Sequence, residues 1–119
     1  MAKTILESTQ EVQENKKLKY QMTAGQKMTV IKELNDGDVI NVNNWCVFVD
    51  EKENADDVTI LTIQDGNTGT IFCTNSETFR RSFLDIADIY KDEGRTGFDI
   101  EKMSGTTKSN RTYINCSLV

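Results

Sequence analysis

The 119-residue chain predicts a mainly β domain with one helix, its strands curling into a small barrel. Three observations carry that expectation. Alternating, β-branched stretches recur between Asn/Asp/Gly turns. A single strongly amphipathic stretch comes late, after several strand segments. Nothing alternates strand with helix as a doubly wound sheet requires. The alternative architecture is an α+β roll, with the helix packed across one sheet face.

Residues 1–20 are polar and rich in Gln, Glu and Lys, and their apolar residues are too scattered for a helix. They are expected to form a flexible polar arm, partly disordered and with strand or helix content where it docks, and 21–119 the single folded domain. Residues 27–34 read as a first strand and Asn35-Asp36-Gly37-Asp38 as a turn. A second strand runs over about 38–50 and an acidic loop follows. Residues 58–64 and 70–74 form a hairpin closed by Asp65-Gly66-Asn67-Thr68-Gly69. Phe79, Phe83, Ile86 and Tyr90 make one apolar stripe in a helix over about 76–91, with Asn75 or Ser76 as its cap. Two strands, about 98–103 and 111–119, end the chain. In a five-stranded OB barrel the helix sits between strands three and four. The order here matches an OB-like five- or six-stranded barrel, with one strand in excess.

Charge is uneven. Residues 1–32 carry six Lys and three Glu, residues 33–67 one Lys and nine acids, and the remainder balances, giving a net charge of −5. An acidic total opposes indiscriminate polyanion binding but leaves room for a local basic groove. Histidine is absent, which removes His bases, His triads and His metal ligands together. No Walker-type or dinucleotide glycine pattern occurs, and the acidic loop lacks calcium-loop spacing. Asp99 and Glu101 are the sole carboxylates alternating on a strand, and an outward salt-bridging role suits them. The chain is therefore read as non-enzymatic, with no cofactor and no metal. Cys46, Cys73 and Cys116 are odd in number and far apart, which suits reduced core thiols. No apolar run is long enough for a membrane helix and no signal pattern opens the chain, so a cytoplasmic location is expected, the host cytoplasm if the protein is viral.

Strict alternation puts three aromatics outside. Val39, Asn41, Asn43, Trp45 and Val47 share the face opposite Ile40, Val42, Cys46 and Phe48. Phe72 lies opposite Ile71 and Cys73, and Tyr113 opposite Ile114 and Cys116. Outward rings flanked by amides and cations suit a single-stranded nucleic acid. Trp45, Phe72 and Tyr113 would stack bases; Asn41, Asn43 and Asn115 would bond bases or sugars. Arg111, Lys108 and Lys102 would line the phosphate track, and an arm bearing Lys16, Lys17 and Lys19 would close over it.

The C-terminal stretch Phe98-Asp99-Ile100-Glu101-Lys102-Met103-Ser104-Gly105-Thr106-Thr107-Lys108-Ser109-Asn110-Arg111-Thr112-Tyr113-Ile114-Asn115-Cys116 resembles a strand–loop–strand of small phage-type single-stranded DNA-binding proteins. Thr74-Asn75-Ser76-Glu77-Thr78-Phe79 adds slightly to the likeness, which covers about the last 50 residues. The resemblance implies an OB-like fold, a dimer or larger oligomer, and single-stranded DNA binding in replication or recombination, with proteins of those processes as further partners. The chain departs from the larger bacterial members in having no Gly/Pro-rich tail with an acidic apolar tip. The competing expectation is a small phage module that binds or inhibits a host protein through its outward aromatics and acidic segment.

Overall fold

The computed structural model describes residues 3–51, 53, 55–94 and 97–119. The chain order is β1 (Lys3–Ser8), α1 (Gln10–Glu14), α2 (Lys16–Thr23), β2 (Met28–Val30), a 3-10 turn (Ile31–Glu33), β3 (Val39–Asp50), β4 (Val58–Asp65), β5 (Ile71–Thr74), α3 (Glu77–Asp92), β6 (Phe98–Thr106) and β7 (Thr112–Leu118). The molecule is mainly β, 43% strand and 28% helix, with its sheet curled into a half-barrel. Among the described residues no helix is long and apolar enough to cross a membrane.

β3 organises everything else. Along one edge it pairs antiparallel with β4. Its other edge is shared, with β6 taking Val39–Val42 and β1 taking Cys46–Asp50. The sheet order is β2-β5-β4-β3-β6-β7, with β1 on β3 beside that path. β2 joins β5 in parallel; among the described residues β2 and β7 are the free ends of that path, and β1 has an unpaired outer edge as well.

The β3–β4 register slips between Val42 and Asn44, so one residue of β3 is extra there. Such a bulge reverses which side chains face which side. Before it, Ile40 and Val42 face α3; after it, Trp45 and Val47 do, in one core with Leu61, Ile63, Phe79, Phe83, Phe98 and Ile100. Cys46 and Phe48 turn to the opposite side and form a second core with Val12, Leu18, Met22 and Ile71. The second half of β3 is thus covered on both faces.

That second core explains the N-terminal segment. Residues expected as a polar arm, with strand or helix only where it docks, form β1, α1 and α2 along most of their length, and bury Val12, Leu18 and Met22 over Cys46 and Phe48. Asn15 caps α2, its Oδ1 accepting from the N–H groups of Lys17 and Leu18 at 3.1 Å each. The expected strand over 27–34 is also shortened. Ile31 and Leu34, three residues apart, both reach the α3 core, which a turn allows and strand alternation does not.

α3 follows its sequence stripe. Phe79, Phe83, Ile86 and Ala87 are buried, and Tyr90 stacks on Phe98 at 4.9 Å. Ser76 Oγ accepts from the Phe79 N–H at 3.2 Å, closing the first turn. The thiols behave as small core groups. Burial pushes Cys46 up to about 11 and Cys116 up to about 12, and raises half-buried Cys73, aided by Glu33.

At the bulge, Asn44 is buried and fully engaged. Its amide donates to Glu11 Oε2 and Gln64 Oε1 at 3.1 Å each, and its Oδ1 accepts from Thr9 Oγ1 at 2.9 Å. Thr9 N–H donates to the Trp45 carbonyl at 3.0 Å. Asn44→Ala leaves the buried Thr9 hydroxyl without this acceptor and is expected to lose about 1–3 kcal/mol in urea unfolding. Asn43→Ala, at an exposed neighbour, is expected to stay within about 0.5 kcal/mol; equal losses at the two positions would contradict the clamp.

Candidate nucleic-acid interface

The three aromatics expected outside have different fates. Trp45 is only 8% exposed and meets Phe83 edge-on at 5.5 Å. Phe72, paired across from Ile63, is half-buried against the same core. Both placements correct the outward parity read from sequence. For Trp45 the cause is the bulge, and for Phe72 it is cover on both sheet faces. Neither ring lies open for a base to stack on. Tyr113 does lie at the surface, 39% exposed. It sits opposite Gly105 across the β6–β7 pair, and a Cβ at Gly105 would come within 2.5 Å of the ring. The missing side chain lets the phenol lie down on the backbone.

The polar residues divide likewise. Lys102 is 5% exposed, and its Nζ bonds Asp36 Oδ1 at 3.0 Å. It alternates with Phe98 and Ile100 on the inward side of β6, which corrects its placement on an open phosphate track. Asp36 Oδ2 accepts from Ser104 Oγ at 2.6 Å, and main-chain bonds link Gly37 N–H to the Lys102 carbonyl and Lys102 N–H to the Asp38 carbonyl at 2.9 Å each. Together these fasten the β2–β3 turn onto β6. Asn41 Nδ2 donates to Asp99 Oδ1 at 2.7 Å. Asn115 Oδ1 accepts from the Cys116 N–H at 2.9 Å. Asn43 is exposed beside the bulge.

Lys108 and Arg111 are exposed in the β6–β7 turn. That turn is held by the Thr107 N–H donating to the Arg111 carbonyl at 2.9 Å and the Arg111 N–H donating to Thr107 Oγ1 at 3.1 Å. Asn110 supplies its left-handed residue, φ 62°. Lys16, Lys17 and Lys19 are exposed on α2, a fixed helix and not a loose arm.

Two clefts open near these groups, and only the first takes any of them, Lys102 and Tyr113, into its walls. One, of about 440 Å³, lies at the open seam of the half-barrel, between the free edges of β2 and β7. Val30, Lys32, Asn75, Lys102 and Tyr113 are among its walls. The other, of about 500 Å³, lies between the end of α2 and the β4–β5 turn, and includes Tyr20, Gln21, Lys27 and Gln64. The structure therefore brings Tyr113 and Lys102 together at the seam, close in sequence to Lys108 and Arg111. Lys16, Lys17 and Lys19 stand apart on the helix of the second cleft. Sequence reasoning noted Lys27 and Lys32 only as following the Lys16, Lys17 and Lys19 cluster, and gave Tyr20 no role. One signal was available: residues 15–32 hold five lysines and no acid. Among the described residues no cluster of three or more His, Cys, Asp or Glu side chains could hold a metal. Comparisons with protein-family models, curated proteins and solved structures found no match.

The Asp36 contacts make a pH-dependent fastening. The Ser104 hydroxyl, then Lys102, hold the Asp36 carboxyl below its ordinary value of 3.8. A carboxyl depressed in the folded state stabilises fully above the unfolded value, and that contribution fades as pH falls through the folded one. Asp36→Asn is expected to lower the urea midpoint at neutral pH, with the gap to wild type closing below about pH 4. A gap that stays constant down to pH 2 would exclude the ionised carboxylate as its source.

Proposed function

We propose that the chain is a non-enzymatic, OB-like single-stranded DNA-binding domain that grips the strand at the β6–β7 hairpin and the seam beside it. Connectivity supports the OB-like reading. β3, β4 and β5 form a meander, α3 follows, and the β6–β7 hairpin returns so that β6 pairs with β3. The carrying observation is Tyr113, an exposed ring laid over Gly105, with Arg111 and Lys108 in the adjoining turn and Lys32 in the same cleft. A flat ring beside cations suits a base and its phosphates irrespective of sequence. Asn115, two residues after Tyr113 on β7, would bond a base or sugar, whereas Trp45, Phe72 and Lys102 serve the fold. The resemblance of the hairpin to small phage proteins supports a place in DNA replication or recombination, with partners from those processes.

A second reading has its own observation. β7 is a free sheet edge, and Thr112–Leu118 contains no charged residue and no proline. Natural edges usually carry such protection, and an unprotected one invites strand addition by another chain. That favours a module binding a host protein or a second copy of itself.

Anisotropy of a labelled oligothymidine at two salt concentrations separates the two. DNA binding predicts saturable association that weakens with salt. Tyr113→Ala should cost roughly 1–3 kcal/mol, and Arg111→Ala should reduce the magnitude of the log–log salt slope by about 0.7. A folded wild-type sample that leaves the oligonucleotide free at low salt selects the protein-binding reading.

A further inference from the structure

Beyond the hairpin, the molecule has a second place where an open ring, amides and lysines converge. α2 buries Leu18 and Met22, four residues apart, so Tyr20 emerges on the opposite side and is 60% exposed. Lys16 lies one turn before Tyr20, and Lys17 one turn before Gln21, on the flank that faces the cleft. After the helix the chain turns back at Gly25, where a Cβ would come 2.7 Å from the Gln21 carbonyl oxygen. That return brings Gln26 and Lys27 into the same cleft.

The facing wall is the β4–β5 turn: Gln64, Thr68, Gly69 and Thr70. Gln64 is oriented by Asn44, whose amide donates to its Oε1 at 3.1 Å, so its amino end is the donor that remains. Asp65 is the one acid of this turn, and its carboxylate is already engaged. Oδ1 accepts from the Asn41 N–H at 3.2 Å, and Oδ2 from Thr68 Oγ1 at 2.8 Å. The cleft walls contain no acidic side chain. Its volume, about 500 Å³, falls in the range of small-ligand pockets, roughly 300–1,000 Å³.

We infer that this cleft is a second base-binding subsite for single-stranded DNA: Tyr20 stacks a nucleobase, the Gln21, Gln26 and Gln64 amides meet its polar edge, and Lys17 and Lys27 hold the flanking phosphates. The inference rests on the proposed DNA-binding function and extends it to a surface outside the hairpin. β2 connects the two sites. Lys27 precedes it in the α2 cleft and Lys32 follows it in the seam cleft, so a strand laid along the free edge of β2 has a cation at each end. Lys19 lies on the other flank of α2, away from the cleft, and has no part in it.

The test uses the full chain with a 5-iododeoxyuridine-substituted oligothymidine, by photocrosslinking with mass spectrometry and by anisotropy. Crosslinks are expected at Tyr20 as well as Tyr113. Tyr20→Ala should weaken binding roughly 5- to 150-fold, Tyr20→Phe should bind as wild type, and Lys27→Ala should reduce the magnitude of the salt slope by about 0.7. The exposure of Tyr20 and Lys27 predicts unchanged thermal unfolding for all three variants. If Tyr113→Ala weakens binding while Tyr20→Ala does not, and no crosslink falls on α2, the second subsite is overturned and the hairpin site stands. If wild type does not bind, both are overturned.

Discussion

The bulge in β3 is the constraint on which the rest of the structure depends. Twelve residues of one strand serve two cores, and they can do so because one extra residue reverses the side-chain parity halfway along. Asn44 holds that reversal in place. Its amide and carbonyl bind Glu11 and Gln64 on one side and Thr9 on the other, tying α1, β4 and the end of β1 to a single point. Among the described residues no buried side-chain polar atom lacks a partner, so the crossing is made without an unsatisfied group.

Functional consequences follow from packing. Since Cys46 and Phe48 face away from α3, something must cover them, and the Val12, Leu18 and Met22 side chains of α1 and α2 do so. That fixes a lysine-rich helix against the sheet, with Tyr20 forced outward by the same burial. On the other half of the molecule, β6 leaves β3 after four paired residues and carries the hairpin beyond the core. There Gly105 and Tyr113 meet. Two anchored elements, α2 and the β6–β7 hairpin, therefore each present lysines or arginines at the surface, while the acids of residues 33–67 are partly consumed by structure, Asp36 by Lys102 and Asp65 by its own turn.

Much of this was legible in sequence. The β4–β5 hairpin, α3 with its Ser76 cap, the two closing strands and the apolar setting of Cys46 and Cys116 followed from periodicity and turn residues. The bulge was not, because Asn43-Asn44 carries no apolar signal to mark a change of face and alternation was extended straight through it. Trp45 was misplaced for that reason alone. α1 and α2, five and eight residues long, are too short for a periodic signal and are stabilised by the core they cover. Lys102 could have been placed correctly, since it continues the Phe98, Ile100 alternation. Tyr113, Arg111 and Lys108 were legible as a surface group. The Tyr20 cleft was not, because its other wall lies more than forty residues away in the chain.

The sharpest single test is iodide quenching of Trp45, the one tryptophan of the chain, with and without saturating oligothymidine. The bulged strand predicts a blue-shifted emission that iodide barely quenches and that DNA leaves nearly unchanged, since the ring lies in the α3 core and the rings proposed to stack bases lie elsewhere. Red-shifted emission, strongly quenched by iodide and by added DNA, would put Trp45 outside and contradict both the parity reversal and the two-core fold built on it.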